Sequence, residues 1–146
     1  MRRFGWIALA VFLADRAAKL FWQRIPAAGL TLVPGILGLT RAWNTGMAFS
    51  LFSGHPWLLG ILTLAILGGA FFFLRGKQLS SLARTGLMMM LGGAAGNLAD
   101  RLFTGYVPDM IEFLFVRFAV FNVADACLVT GCVLTMTDLL RREKHG

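Results

Sequence analysis

The chain has 146 residues, of which 58% are hydrophobic and 14% charged, and its mean hydropathy is +0.72. Soluble domains carry roughly 25% charged residues, so this composition excludes an ordinary water-soluble domain and predicts one integral-membrane domain over residues 1–146. The net charge of +7 does not indicate a nucleic-acid partner, because the basic residues sit in the tails and one short loop between apolar segments.

A membrane-spanning helix needs about 20 largely apolar residues, since the hydrocarbon core is roughly 30 Å thick and each helical residue rises about 1.5 Å. Four segments reach that length, at about 4–22, 56–74, 85–102 and 121–140. The first begins with basic residues, as a signal peptide does. However, Phe12 stands where a cleavage site needs a small residue, and "DRAAK" continues the helical pattern. Arg2 and Arg3, then Arg75, Lys77 and Arg84, then Arg141, Arg142 and Lys144 mark the N-terminal tail, the middle loop and the C-terminal tail as cytoplasmic. The segments 23–55 and 103–120 are then outer loops, and a multi-pass protein with both termini inside results.

The first outer loop contains "LTLVPGILGLTRAWNTGMAFSLF", in which β-formers broken by Pro34 and glycines predict short strands joined by turns. The short polar loop "RGKQLSSLAR" makes the second and third spans antiparallel neighbours. The third span carries Gly92 and Gly96 in GxxxG spacing, which permits close helix approach. Cys127 and Cys132, five apart in the fourth span, lie on different helix faces and read as small apolar packing residues. His55 and His145 stand alone, so no metal site is expected.

Ionisable residues inside spans are rare and usually paired or functional. Here they share one leaflet. Asp15, Arg16 and Lys19 lie in the outer half of the first span, Asn97, Asp100 and Arg101 near the outer end of the third, Asn122 and Asp125 at the outer start of the fourth, and Asp109 in the loop between those two. Taken singly they have plain readings: Asp15 and Lys19 as an i, i+4 ion pair, Arg101 reaching to the interface, Asn122 as a helix N-cap, Asp109 after Pro108 as a turn residue, Glu112 as a solvated loop charge.

Together, Asp109 and Asp125 are two carboxylates brought to one membrane edge by a short connection. Paired carboxylates are the machinery of aspartic peptidases: one deprotonates a water while the other, protonated, polarises the scissile carbonyl. Burial and like-charge proximity raise one of the two pKa values. Asp100 competes for the first position, but adjoining Arg101 it reads as ion-paired. No GxSxG elbow is present. A small transporter with a proton path through Asp15, Asp100 and Asp125 is the alternative from another class. A structural partner held by the Gly92 face is a second.

In order along the chain, "DRAAK" (Asp15, Lys19), "NTGMAF" (residues 44–49), "GGAAGNLADR" (92–101), "GYVPD" and "FNVAD" resemble the blocks of the lipoprotein signal peptidase family, also called signal peptidase II. The resemblance implies an all-α bacterial inner-membrane enzyme with four transmembrane helices, a small extracytoplasmic β-cradle, and a mobile outer loop or short helix over the site. It implies cleavage of diacylglyceryl-modified prolipoproteins just before the lipidated Cys, without cofactor or metal, at the outer leaflet, with substrate and membrane lipids as partners; a monomer is expected, though not as part of the resemblance. By position, Asp109 and Asp125 become the catalytic pair. Asn44, Asn97, Arg101 and Asn122 become polar residues holding substrate backbone or the pair, and Asp15 supports them from beneath. Pro108 and Ala126 depart from the family's aliphatic residue and Ser, and Pro108, with its fixed φ and missing N–H, bears on how Asp109 is aimed.

Overall fold

The computed structural model describes residues 2–46, 54–74, 76 and 78–143. Arg75, Lys77 and Lys144 of the basic set and residues 47–49 of the second block lie outside the described residues. After a 3-10 turn at Arg2–Phe4, the elements in chain order are α1 (Gly5–Trp22), β1 (Leu30–Val33), β2 (Leu37–Asn44), α2 (Pro56–Leu74), α3 (Ser81–Phe103), β3 (Val107–Phe113) and α4 (Val123–Glu143). The expected four helices are present and the apolar segments predict their extents closely. α2 opens with Pro56, a residue suited to a first helical position.

Two boundaries differ for a local reason. α3 starts at Ser81 rather than 85, because the Ser80 side chain accepts from the Ala83 amide at 3.1 Å and caps a polar first turn that hydropathy omits. α4 starts at Val123 rather than 121, because Asn122 is its cap and Phe121 bridges to Ile111. Only one described helix, Val123–Arg142 of α4, is long and apolar enough to cross a membrane by composition, with Trp57–Ala70 a shorter apolar stretch. α1 carries Asp15, Arg16 and Lys19 and α3 carries Arg84, Asp100 and Arg101, and of these Asp15, Arg16, Lys19 and Asp100 meet across the bundle, as described below.

α3 lies at the centre, against α1, α4 and α2, and glycines make that possible. A Cβ on Gly92 would meet the Ala8 carbonyl at 2.5 Å and Val11 at 2.8 Å on α1. One on Gly93 would meet the Ala124 carbonyl at 2.5 Å on α4, and one on Gly86 the Gly131 carbonyl at 2.5 Å. Gly131 in turn lies against the Gly86 carbonyl and Met90. The Gly92/Gly96 spacing is thus used within the chain, by α1.

The connections between α1 and α2 and between α3 and α4 build a three-stranded antiparallel sheet in the order β1-β2-β3. β1 and β2 turn over Val33-Pro34-Gly35-Ile36, where the Ile36 amide donates to the Val33 carbonyl at 3.0 Å and Gly35 has φ +70°. That is the position at which such a turn requires a residue tolerant of positive φ. The third strand corrects the sequence reading, which made 103–120 a loop, Asp109 a turn residue and Glu112 a free loop charge. All of Val107–Phe113 is strand. Pro108, Asp109 and Glu112 hide the apolar pattern, and the strand exists because β2 and the Phe121 bridge give its backbone partners. Pro108 is tolerated because β3 is the outermost of the three strands. The sheet is fastened to the bundle by a cluster of Trp22, Ile25 and Met110, with Leu39, Tyr106 and Ile111 packed against it.

Candidate active site

Asp109 and Asp125 reach the same place from different elements. On the sheet, Asn44 pairs with Val107 and Ala42 with Asp109, so Asn44 and Asp109 are diagonal neighbours on one face. The small Ala42 leaves room between them. Asn44 Nδ2 donates to Asp109 Oδ2 at 2.8 Å, while Asn44 Oδ1 accepts from the Gly46 amide at 2.9 Å. The Asp109 carbonyl accepts from the indole of Trp22 at 2.9 Å, pinning the strand to the end of α1. Asp109 is 1% exposed.

Asp125 occupies the first turn of α4 in a reciprocal cap. Asn122 Oδ1 accepts from the Asp125 amide at 2.9 Å, and Asp125 Oδ2 accepts from the Asn122 amide at 3.2 Å, the two-way arrangement of a capping box. Asn122, fully buried, also donates from Nδ2 to Asp109 Oδ1 at 2.6 Å. One residue therefore touches both carboxylates. Asn97 on α3 donates from Nδ2 to Asp125 Oδ1 at 2.7 Å. Every oxygen of the two carboxylates thus accepts one N–H from Asn44, Asn97 or Asn122.

Burial pushes the Asp109 carboxyl up to about 6; the Asn44 hydrogen bond opposes this, the nearby Asp125 charge reinforces it, and Asn122 and the Lys19 charge oppose it. Desolvation disfavours the anion and a neighbouring carboxylate does the same, so Asp109 is suited to carry a proton near neutrality.

Beneath the pair lies a charge cluster. Asp15 Oδ1 accepts from the Ala124 amide at 3.1 Å, holding the start of α4 next to Asp125. Asp15 Oδ2 accepts from Lys19 Nζ and Arg16 Nη2, both at 2.8 Å. Asp100 is ion-paired, as expected, but with Arg16 at 2.6 Å and Lys19 at 2.6 Å on α1, and not with its neighbour Arg101. Gly96 admits this contact, since a Cβ there would meet Asp15 Oδ2 at 2.6 Å. Arg101 Nη2 donates to the Gly46 carbonyl at 2.9 Å and makes no described hydrogen bond to either carboxylate.

Five of the residues selected from sequence, Asn44, Asn97, Asp109, Asn122 and Asp125, form one hydrogen-bonded network. Asp15 supports it through Ala124, and Arg101 stands at its rim. Sequence reasoning missed Trp22 and gave Arg16 no role. For Arg16 the signal was available: a guanidinium in an apolar segment needs a partner, and Asp100 was the unclaimed carboxylate at the same depth.

The network opens on a groove of about 620 Å³ between α2, α3 and α4. Its walls are mostly apolar, including Leu59, Ile66, Leu128 and Val129, with Asn44, Asn97, Arg101 and Asp125 at the polar end.

The chain matches, over residues 7–141, the model of the family described as signal peptidase (SPase) II. The lipoprotein signal peptidase of Latilactobacillus sakei subsp. sakei (strain 23K) is 40% identical over 115 residues, 78% of this chain and 76% of that protein. That of Lactiplantibacillus plantarum (strain ATCC BAA-793 / NCIMB 8826 / WCFS1) is 38% identical over 119 residues, covering 80% and 78%. A solved bacterial membrane enzyme, determined by the in meso method at 2.3 Å resolution, superposes with a TM-score of 0.85 at 28% identity, covering 95% of this chain and 88% of that one. A second, at 1.9 Å, gives 0.79 at 29% identity, covering 92% and 90%.

Proposed function

The chain belongs to the signal peptidase II family, and from that membership we propose that Asp109 and Asp125 are the catalytic pair of a membrane-edge peptidase acting on diacylglyceryl-modified precursors. It is an aspartic peptidase that removes signal peptides from prolipoproteins. The observation that carries the assignment of the pair is the shared residue Asn122, which donates from its side chain to Asp109 and from its backbone to Asp125. Asp125 lines the polar end of an apolar groove, and Asn122 links the buried Asp109 to it.

In the proposed reaction the substrate's acyl chains lie along the apolar walls of the groove, and its extended signal peptide presents the bond before the lipidated Cys to the pair. Asp125, ionised, takes a proton from a water whose oxygen attacks the carbonyl carbon. Asp109, protonated, donates a hydrogen bond to the carbonyl oxygen as it becomes negative. Collapse of the tetrahedral intermediate breaks the C–N bond, and the leaving amine takes the proton that Asp125 removed from the water, which restores the pair. Asn44, Asn97 and Asn122 keep the carboxyls oriented, Asp15 supports them from below, and Arg101 is placed to meet the substrate backbone.

We further propose that the whole of 1–146 is one domain with four spans, α1 to α4, in the bacterial inner membrane, both termini cytoplasmic, the sheet outside and the pair at the outer leaflet. Charge compensation supports this: Asp15, Arg16, Lys19 and Asp100 sum to zero within the bundle, which makes α1 and α3 tolerable in lipid despite their composition. A monomer in contact with lipid is supported by α1 covering Gly92 and Gly96. A proton path has less support, because the buried polar groups of the inner half serve their own helix: Thr135 donates to the Gly131 carbonyl and Asp138 pairs with Arg142.

The test is cleavage of a synthetic diacylglyceryl-modified precursor by the purified protein. Asp109→Asn and Asp125→Asn each lower kcat by about a thousandfold or more. Full activity in either variant removes that residue from the chemistry.

A further inference from the structure

Lys19 is buried on α1, and its three ammonium hydrogens have three acceptors: Asp15 Oδ2 at 2.8 Å, Asp100 Oδ2 at 2.6 Å and Asn97 Oδ1 at 2.9 Å. The first two contacts are duplicated, since Arg16 also donates to Asp15 and to both oxygens of Asp100. The third is not duplicated by any cation. An ammonium only donates, so it obliges Asn97 to turn its carbonyl toward α1. The same amide's Nδ2 is then turned toward Asp125, which it meets at 2.7 Å. The other donor to Asn97 Oδ1, Asn122 Nδ2, is neutral and longer at 3.2 Å, and it spends a shorter bond of 2.6 Å on Asp109.

We infer that Lys19 is a positioning residue for the catalytic pair, acting through the side-chain amide of Asn97 to aim Asp125 and not merely neutralising Asp15 and Asp100. This rests on the assignment of Asp109 and Asp125 given above. An ammonium at the depth of the bundle thereby reaches the reacting carboxylate through one intervening side chain. Without it, the Asn97 amide keeps only its weaker constraint, and misorientation of a reacting group by a fraction of an ångström is enough to lower turnover strongly.

The experiment uses the full chain in detergent with the diacylglyceryl-modified precursor. Lys19→Met is combined with Asp100→Asn, so that Arg16 and Asp15 remain as a balanced pair, and Asp100→Asn alone is the control. The control keeps kcat within about threefold of the parent, whereas the double variant loses about tenfold to a hundredfold in kcat with KM unchanged. A double variant that turns over like the control reduces Lys19 to charge neutralisation and overturns the proposal. Because these variants differ in stability, a second cycle adds Lys19→Met to Asn97→Leu. If Lys19 acts through Asn97, its replacement costs less than about threefold in that background. The same fold-loss with and without Asn97 overturns the proposal whatever the melting temperatures. All of these variants retain both aspartates, so failure of the cycle is distinct from failure of the catalytic assignment, which the Asp109→Asn and Asp125→Asn proteins report.

Discussion

At the scale of single residues, the site is built from asparagines because its purpose is to aim acceptors. A carboxylate oxygen can be held by any N–H, but an amide whose carbonyl is already engaged has only its NH2 to offer. Asn44 is fixed by the Gly46 amide, Asn122 by the Asp125 amide and Asn97 by Lys19. A pH prediction follows from Asp109, whose carboxyl is raised to about 6 chiefly by burial. A raised carboxyl is protonated in the folded protein below about 6, so kcat falls on the alkaline side with a limb near that value. This is about two units above an ordinary carboxylate. The same shift means that Asp109 contributes stability fully only below its unfolded value and loses it as pH rises through about 6. The Asn44 hydrogen bond holds the carboxyl down, so Asn44→Leu moves the limb to higher pH in a kcat profile; a limb moved to lower pH contradicts the stated causes. The carboxylates and asparagines were legible in the sequence because polar side chains in apolar segments are conspicuous. Trp22 was not, because an indole in an apolar helix is unremarkable until its N–H is seen to meet the Asp109 carbonyl.

At the scale of elements, the helices were legible from runs of apolar residues and the first two strands from β-formers around a Pro-Gly turn. β3 was not, because three of its seven residues, Pro108, Asp109 and Glu112, do not mark a strand and its partners lie far off in sequence. The glycines of α3 and α4 divide by what surrounds them. Gly131 lies against the Gly86 carbonyl and Met90, so Gly131→Val forces α3 and α4 apart and costs about 3 kcal/mol or more, seen as a lowered melting temperature in detergent. Gly68 on α2 has nothing within 4 Å of where a Cβ would stand. Gly68→Ala leaves stability unchanged or improves it by up to about 1 kcal/mol. Equal losses in the two variants are incompatible with this packing.

At the scale of the whole molecule, the orientation of the bundle is open to a direct measurement. In a protein with Cys127 and Cys132 replaced by Ala, a single cysteine at Ile36, in the turn between β1 and β2, is labelled in intact cells by a membrane-impermeant maleimide. One at Gln78, in the loop between α2 and α3, is labelled only after the membrane is opened. The reverse pattern inverts the topology. Hydropathy made four helices legible, but the composition of α1 and α3 becomes intelligible only once Asp15, Arg16, Lys19 and Asp100 are seen together. That cluster has a consequence for biogenesis. Arg16 and Asp100 are 84 positions apart, and at a synthesis rate of about 5–20 residues per second α1 emerges about 4–17 s before its second carboxylate does. During that interval two cations share one anion, and α1 carries an unbalanced positive charge. In the proposed topology α1 therefore enters the bilayer with a surplus positive charge that Asp100 of α3 neutralises.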